Sequence, residues 1–353
     1  MARALELAAR GLYTTAPNPR VGCVVVLGSE VVGEGAHQRA GEPHAEAHAL
    51  MLAGARARGA TVYVTLEPFH HHGRTPPCDE LVASAGVSRV VVAMRDPDPR
   101  TAGQGTARLR AAGIAVDEGV LEHEARDLNV GFVSRHSRGR PWVRMKIAAS
   151  LDGRTALASG QSQWITGAAA RSDGHHWRAR SCAVLTGIGT VRDDDPQLTV
   201  REIATERQPL RVVVDSRLET PPGARVLADG GALIAAAHGD EARASMLRAQ
   251  GAEVIVLSNP HGKVDLPALM RELGRRQINE LHVEAGCKLN GSLLDEGCVD
   301  ELLIYYAPCL LGAAARGMAD IRDVGELSAR LRLAITDTRM VGDDLRVLAR
   351  VGA

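Results

Sequence analysis

The sequence has no excess charge of either sign. Lys plus Arg and Asp plus Glu each number 42 in 353 residues, so the formal net charge is zero. No run of lysines and arginines stands out, and a nucleic-acid partner requires a basic surface that neutralises phosphates. We therefore expect no nucleic-acid partner and a small molecule as the substrate.

Long apolar segments are also missing. No stretch of 18 apolar residues occurs, which argues against a membrane span. The first residues resemble an amphipathic helix and lack the apolar core of a signal peptide. The six cysteines show no disulfide-framework spacing, and in a chain of this size that is typical of reduced thiols. The sequence thus predicts a cytoplasmic protein with no membrane partner.

What is present is a pattern of short apolar strands alternating with helical stretches, which predicts two α/β units. In the first half it predicts helices over His44–Ala57 and Cys78–Ala85 and one long helix over Leu121–Arg135. The polar segment 136–141 contains Gly and Pro and is the best domain boundary. We therefore predict domains over residues 1–137 and 141–353, the second ending in the strand-like stretch Leu331–Val347.

A first group of chemically active residues begins with His44 and Glu46. Zinc hydrolases hold the metal with three protein ligands and leave the fourth position to water. A nearby Glu then transfers protons from the attacking water to the leaving ammonia. An isolated His-x-Glu more often only begins a helix. The downstream motifs Thr-Leu-Glu-Pro, at residues 65–68, and Pro-Pro-Cys, ending at Cys78, favour the metal site.

Residues 65–78, together with Pro17-Asn18-Pro19 and Gly33-Glu34-Gly35-x-His37, resemble the bifunctional pyrimidine deaminase/reductase family of riboflavin biosynthesis. The resemblance covers essentially the whole chain. It implies a cytidine-deaminase-like three-layer domain, in which His44 and Cys78 bind zinc and Glu46 is the catalytic proton shuttle. It also implies that the substrate pocket is lined by Asn18, His37, His71, His72 and Arg74.

One position departs from that family. Phe69 stands where the family has a cysteine ligand, and a phenyl ring cannot bind zinc. Loss of one of three ligands should weaken the metal site greatly. His70 could present a nitrogen instead if the loop shifted by one residue, although successive side chains point to different sides of the backbone. We keep His70 as a candidate ligand and expect poor zinc binding and weak deamination. A decayed site and an engineered or erroneous residue are further explanations.

The second half lacks the Gly-x-Gly-x-x-Gly fingerprint of dinucleotide-binding folds. It has instead two glycine-bearing turns that follow predicted strands, at residues 186–190 and 283–286. Backbone amides at such turns can bind the phosphates of a dinucleotide. Each turn alone is weak evidence, because a structural turn is the commoner explanation, and two in one domain are better evidence without being decisive.

Residues 146–154, 162–166, 194–201 and 283–286 resemble the reductase domain of the same family, whose fold is similar to dihydrofolate reductase. The residues that this resemblance implies for NADP binding are Ala148, Trp164, Thr190, Asp194, Ser216, Gly286, Cys287, Lys288, Leu289, Asn290, Gly291 and Ser292. Those implied for the phosphoribosylaminopyrimidine substrate are Ser162, Arg178, Leu198, Arg201 and Glu284.

Structural alternatives exist for several of these residues: Trp164 could be a core aromatic, Asp194 a helix cap and Arg201 a solvated charge. The chemical interpretation is coherent, because an Arg pair suits a phosphate. Hydride transfer requires mainly that the nicotinamide be aligned with the carbon it reduces.

We therefore expect an enzyme of riboflavin biosynthesis that uses zinc and NADP(H). It would deaminate 2,5-diamino-6-(5-phosphoribosylamino)pyrimidin-4-one and then reduce 5-amino-6-(5-phosphoribosylamino)uracil. One alternative is a reductase only, with an inactive deaminase-like domain. A nucleic-acid-editing deaminase or nucleotide-binding module is disfavoured by the zero net charge. A homodimer is the default assembly for such an enzyme.

Overall fold

The computed structural model describes residues 1–70 and 77–352. The chain divides into two compact units, Met1–Gly139 and Arg140–Ala353. Among the described residues, no helix has the length and apolar character that crossing a bilayer requires.

The first unit contains five strands and six helices among its described residues. The strands are β1 (Gly22–Leu27), β2 (Glu30–Ala36), β3 (Thr61–Leu66), β4 (Arg89–Met94) and β5 (Ala115–Glu118). The helices are α1 (Ala2–Ala9), α2 (Ala45–Ala53), α3 (Cys78–Ser84), α4 (Gln104–Ala111), α5 (Glu122–Leu128) and α6 (Val130–Arg138).

The five strands form one sheet with the order β2-β1-β3-β4-β5. The last three strands run parallel, while β1 is antiparallel to both of its neighbours. Because successive side chains of a strand point to opposite faces, β1 serves two cores. Cys23 and Val25 pack in the core that includes residues of α2, and Val24 packs in the core that includes residues of α1. The unit therefore has the predicted three layers.

Two glycines of β2 let α2 lie directly against the sheet. A Cβ atom on Gly33 would be 2.1 Å from the Ala49 carbonyl oxygen, and one on Gly35 would be 2.1 Å from the Ala45 carbonyl oxygen. Any side chain at either position would push the helix away. This close approach fixes the amino-terminal end of α2, where His44 and Glu46 lie.

The second unit contains eleven strands and five helices among its described residues. The strands are β6 (Trp142–Ser150), β7 (Arg154–Ala156), β8 (Ala183–Gly187), β9 (Leu210–Val214), β10 (Ala232–Ala236), β11 (Ala252–Val256), β12 (Glu280–Val283), β13 (Glu301–Ala307), β14 (Arg316–Gly317), β15 (Leu333–Val341) and β16 (Asp344–Val351). The helices are α7 (Ala168–Arg180), α8 (Ile188–Asp194), α9 (Glu241–Ala249), α10 (Leu266–Arg275) and α11 (Cys287–Asp295).

Nine of these strands form one sheet with the order β11-β10-β9-β8-β12-β6-β13-β16-β15. The seven strands from β11 to β13 run parallel, and β16 and β15 extend the sheet in antiparallel fashion. In such sheets, ligands bind in the crevice at the carboxyl ends of the parallel strands.

Two predicted elements differ from the structure. The long helix predicted over Leu121–Arg135 is two helices, α5 and α6, separated at Asn129. The Asn129 side chain accepts a hydrogen bond from the Arg20 amide at 2.8 Å and donates one to the Arg20 carbonyl at 3.0 Å. The second helix continues to Arg138, so part of the predicted linker is helical. The stretch Leu331–Val347 is not one strand but part of the hairpin β15–β16, which turns at Gly342 with φ of 62°.

Candidate active sites

The first unit brings three potential zinc ligands together. The ligand atoms of His44, Glu46 and Cys78 all lie within 4.8 Å of one another. His44 directly precedes α2, Glu46 lies in its first turn and Cys78 is the first residue of α3. His44 Nδ1 and Cys78 Sγ are 3.1 Å apart. Nitrogen, sulfur and carboxylate oxygen are the donors that zinc takes in proteins, so this group fits the metal in its chemistry.

Phe69 lies beside this cluster. Its ring centroid is 5.8 Å from that of His44, in an edge-to-face arrangement. Its carbonyl oxygen accepts hydrogen bonds from the backbone amides of Cys78 and Asp79, so the start of α3 is docked on this residue. His70 is one of the residues that the structure describes, and it is not a member of this ligand group. Its role as a replacement ligand stays a prediction.

Residues that the sequence did not single out hold the loop of Phe69 in place. The buried Glu67 carboxylate accepts hydrogen bonds from the backbone amides of Asp96, Gly103 and Thr106. Arg108 donates to the His70 carbonyl at 3.0 Å. Glu67 is part of the Thr-Leu-Glu-Pro motif, and its acidic side chain directly after an apolar strand was the available signal.

Two of the predicted substrate residues also lie at this site. His37 is buried, its ring lies 5.3 Å from the His44 ring, and one of its nitrogens lies 3.1 Å from the Asn18 side-chain nitrogen. The other predicted pocket residues, His71, His72 and Arg74, lie outside the described residues.

Burial shifts the pKa values of the cluster in the directions that favour neutral groups. It raises the pKa of Glu46 to about 7 and lowers the pKa of His44 to about 4. Burial, reinforced by Glu46, also raises the pKa of the Cys78 thiol well above its ordinary value. A bound cation reverses this tendency, because a coordinating thiol is deprotonated.

The second unit has a different kind of site, built around one ion pair. Arg178 of α7 donates two hydrogen bonds to Glu284, at 2.5 Å and 2.9 Å, and a third at 3.0 Å to the Thr199 carbonyl. Glu284 directly follows β12 at the carboxyl edge of the sheet. Burial alone would raise the pKa of Glu284, but the Arg178 guanidinium outweighs this effect and holds the pKa well below its usual range. Glu284 is therefore ionised at neutral pH.

The two predicted glycine-bearing turns meet at this edge. The strands that they follow, β8 and β12, are neighbours in the sheet. The Thr186 hydroxyl donates to the Glu284 carbonyl at 2.7 Å, and the Glu284 amide donates to the Leu185 carbonyl at 2.8 Å. The paired ends give two adjacent sets of backbone amides, as a dinucleotide phosphate site requires.

Two further ionisable residues accompany the ion pair and were not predicted as site residues. His282 is fully buried on β12, with its Nε2 atom 3.5 Å from Glu284, and burial lowers its pKa to about 3. Lys146 lies on the adjacent β6, and burial likewise lowers its pKa, while Glu284 opposes that shift. The available signal was a polar residue at every second position of an otherwise apolar strand.

The residues predicted for NADP lie along the same carboxyl edge. They are Ala148 near the end of β6, Thr190 and Asp194 in α8, Ser216 just beyond β9, and Gly286–Ser292 at the start of α11. Trp164 is 71% exposed, under the Arg171 guanidinium, so it is no core aromatic. Asp194 is the last residue of α8 and accepts a hydrogen bond from Gln163, so it does not cap the helix amino terminus.

Some residues predicted to bind NADP or the substrate contact other parts of the protein instead. Asn290 donates to the Met318 carbonyl at 2.9 Å, and a Cβ atom on Gly291 would be 1.9 Å from the Asp320 carbonyl oxygen. Leu198 is buried in the apolar core with Val184 and Val213. Leu198 and Gly291 can therefore offer a ligand polar contacts only through their backbone.

The remaining two predicted substrate residues, Arg201 and Ser162, are accessible. Arg201 is exposed and bonds through one nitrogen to Gln197 and Thr199. Ser162 is half-buried in the loop that precedes α7.

Comparison with known proteins identifies the family. Residues 141–347 match the RibD C-terminal domain, and residues 1–94 match the cytidine and deoxycytidylate deaminase zinc-binding region. The chain is 48% identical over 365 residues to the riboflavin biosynthesis protein RibD of Escherichia coli (strain K12), with coverage of 100% of this chain and 98% of the relative. The chain belongs to the RibD family.

Solved structures of RibD proteins agree with this assignment. Acinetobacter baumannii RibD (form 1) superposes with a TM-score of 0.92 at 43% identity, covering 100% of this chain and 98% of that one. A diaminohydroxyphosphoribosylaminopyrimidine deaminase/5-amino-6-(5-phosphoribosylamino)uracil reductase from Thermotoga maritima gives 0.87 at 34% identity, covering 99% and 97%. The predicted fold is confirmed: a cytidine-deaminase-like unit is followed by a dihydrofolate-reductase-like RibD reductase unit.

Membership of the RibD family makes the chain an enzyme of riboflavin biosynthesis with a deaminase and a reductase domain. Its cofactors are zinc and NADP(H), as predicted.

Proposed function

We propose that the chain catalyses two consecutive steps on one phosphoribosylaminopyrimidine. The first is the hydrolytic deamination of 2,5-diamino-6-(5-phosphoribosylamino)pyrimidin-4-one. The second is the NADPH-dependent reduction of 5-amino-6-(5-phosphoribosylamino)uracil to the ribitylamino product. The name of the similar Thermotoga maritima protein supports this pair of activities. The observation that carries the proposal is that one chain contains both the His44–Glu46–Cys78 cluster and the Arg178–Glu284 pair.

In the deaminase unit, His44 and Cys78 are the proposed zinc ligands. Zinc held there supplies an activated water for hydrolysis. Glu46 is the proposed proton shuttle, because its buried carboxyl group lies beside the proposed metal ligands, where it can accept a proton from water and release it to the leaving amino group. Asn18 and His37 lie close enough to contact the pyrimidine, and His71, His72 and Arg74 are proposed to complete that pocket.

We propose further that this deaminase is weak. Phe69 removes one of the three metal ligands found in the family, and the structure does not bring His70 into the group of donors. The same observation supports a second candidate function, a reductase whose deaminase-like unit is inactive. Metal content and deamination, measured on the purified chain beside Phe69→Cys, separate these two functions.

In the reductase unit, two arginines are proposed to have different roles, one in positioning a carboxylate and one in binding the substrate phosphate. Arg178 is engaged by Glu284 and Thr199, so it positions the Glu284 carboxylate, which can accept hydrogen bonds from substrate hydroxyls. Arg201 donates to its neighbours through one nitrogen of its guanidinium and is the proposed partner of the substrate phosphate, and Ser162 and the Leu198 backbone are proposed to contact the same substrate. NADP is proposed to bind at the carboxyl edge, through the residues predicted for it above.

An assay of NADPH oxidation with the ribosylaminouracil phosphate tests the reductase role. We expect turnover by the full chain, and a KM raised about 10-fold or more by Arg201→Ala, because a charge-assisted hydrogen bond is worth about 1.5–3 kcal/mol. The dephosphorylated substrate is the control, since Arg201→Ala should leave its KM unchanged. Absence of NADPH oxidation by the wild type would overturn the proposal.

We also propose that the enzyme works as a homodimer in the cytoplasm. Its six unpaired cysteines fit a reducing compartment.

Strand β15 is the last strand of the nine-stranded sheet, and its Ile335 and Met340 side chains are 67% and 61% exposed. A long apolar edge strand invites pairing with a second chain. Sedimentation should show a dimer, and Ile335→Lys should shift it towards monomer; a wild-type monomer would contradict the proposal.

A further inference from the structure

Phe69 leaves the zinc site of this chain with a specific deficit. The site has one imidazole and one thiolate, from His44 and Cys78, and structural rules for zinc call for a third protein ligand. The phenyl ring beside His44 has no donor atom to offer. Any third ligand must therefore come from a residue that the family does not use for this purpose.

Glu46 is placed to be that ligand. It is 3% exposed, and a carboxylate oxygen lies within 4.8 Å of both a His44 ring nitrogen and Cys78 Sγ. Its ligand atom belongs to the same compact group as those of His44 and Cys78, so the three side chains point at the same volume. We propose that in this chain the Glu46 carboxylate is the third zinc ligand, which completes a His-Glu-Cys site.

This ligand set has a chemical consequence. While it is bound to zinc, the Glu46 carboxylate cannot carry a proton from water to the leaving amino group, so its proposed role as proton shuttle is confined to the small fraction of time in which it leaves the metal. The chain would thus retain its metal and lose most of its deamination rate. The proposal rests on the proposed zinc deaminase role of this unit, and it explains how a metal can be held there without fast turnover.

His70 is the competing ligand, and the geometry disfavours it. Its side chain is outside the group of donors, and its carbonyl is held by Arg108, which also contacts Asp79 in the first turn of α3 at 3.2 Å. Bringing its imidazole to the metal would require this anchored backbone to shift. Glu46 requires only a side-chain adjustment, because α2 is fixed by its close packing on Gly33 and Gly35.

The test is the zinc affinity of the full-length protein in four forms: wild type, Glu46→Gln, Phe69→Cys and the double variant. Each apo protein is titrated with zinc against a chromophoric chelator, and cobalt(II) spectra count the thiolates. We expect Glu46→Gln to lower zinc affinity at least 10-fold in the wild-type background. The same change should lower it less than 3-fold with Phe69→Cys, because a second thiolate then serves as ligand. Cobalt spectra should show one thiolate in the wild type and two with Phe69→Cys.

Controls keep the result interpretable. Glu46→Ala should repeat the loss seen with Glu46→Gln, and circular dichroism should show that both variants are folded. His70→Ala should leave zinc affinity unchanged. Equal affinity of wild type and Glu46→Gln, a loss caused by His70→Ala, or no zinc binding by the wild type would each overturn the proposal. A failure of NADPH oxidation would instead count against the proposed pathway role and leave the ligand assignment intact.

Discussion

The two active sites of this chain depend on their surroundings in opposite ways. The deaminase site needs a metal ion from solution, and its three potential ligands lie at the starts of two helices. The reductase site is organised by charges that the chain itself supplies, with Arg178 and Glu284 satisfying each other at the carboxyl edge of a sheet. A site of the first kind is altered when one donor is lost, because another side chain must take over at the metal, whereas the second is held together by contacts within the chain.

This difference explains where a substitution such as Phe69 can be tolerated. The loop of Phe69 is held by Glu67 and by the start of α3, contacts that do not involve the metal. The fold can therefore persist while the chemistry of the deaminase changes. In the reductase unit, by contrast, the ionic residues of the site also contribute to stability, so function and folding are harder to separate.

The largest expected effect is a gain at the deaminase site. Phe69→Cys should raise the deamination rate about 100-fold or more, because it frees Glu46 for proton transfer, which contributes about 10²–10⁴-fold in rate. Zinc affinity should rise as well, since even second-shell losses typically change metal affinity about 10–100-fold. Steady-state release of ammonia from the diaminopyrimidine substrate measures the rate. Phe69→Ser, which lacks a thiolate, is the control, and an equal gain with that variant would refute the explanation.

The second effect concerns the reductase ion pair. Arg178→Met should lower the free energy of unfolding of this unit by about 3 kcal/mol, because it removes the guanidinium that neutralises the largely buried Glu284 carboxylate. The double variant Arg178→Met/Glu284→Gln should lose less than the single variant, while both lose reductase activity. Urea unfolding followed by tryptophan fluorescence reports this unit alone, since Trp142, Trp164 and Trp177 all belong to it. A double variant as unstable as the sum of the two single variants would count against this account.

Most of the fold could be predicted because local patterns decide it. The strand Thr61–Leu66 and the strand Glu280–Val283 have the predicted bounds, since each is a short β-branched or apolar run between turns. The helix break at Asn129 could not be predicted, because it depends on hydrogen bonds to Arg20, a residue distant in the sequence. The carboxy-terminal hairpin did have a local signal, Gly342-Asp343 between two alternating runs, which the prediction of one strand passed over.

The sequence allowed us to predict which residues belong to the two sites, but not which of those residues bond to each other. The spacing of His44, Glu46 and Cys78 carries a chemical signature, and the structure places them together. Arg178 and Glu284 were both expected at the substrate, yet nothing local indicates that they bond to each other across 106 residues. Such a pairing follows from the order of strands in the sheet, which the sequence does not display.

A smaller effect should appear as a pH dependence of the reductase unit. His282 is neutral in the folded state, with a pKa of about 3, against about 6.5 when unfolded. Between these two pH values His282 is protonated in the unfolded chain and neutral in the folded one. The free energy of unfolding is therefore greatest above pH ~6.5 and decreases as the pH falls below that value. Wild type should lose about 2 kcal/mol between pH 7 and pH 5 from this residue, and His282→Leu should not lose it. Urea unfolding of both proteins at several pH values measures the difference between their losses of stability. His175 is present in both proteins, so its contribution cancels in that comparison.

The smallest effect should come from an ion pair in the first unit that lies wholly at the surface. Arg56 and Glu30 contact each other with side chains that are 51% and 63% exposed. Water and salt screen such a pair, and ordering two long side chains offsets its attraction. Arg56→Ala should therefore leave the thermal midpoint of the first unit unchanged within error, at low and at high salt. A clear loss of stability would contradict this prediction, because it would show that an exposed ion pair contributes to the stability of the first unit.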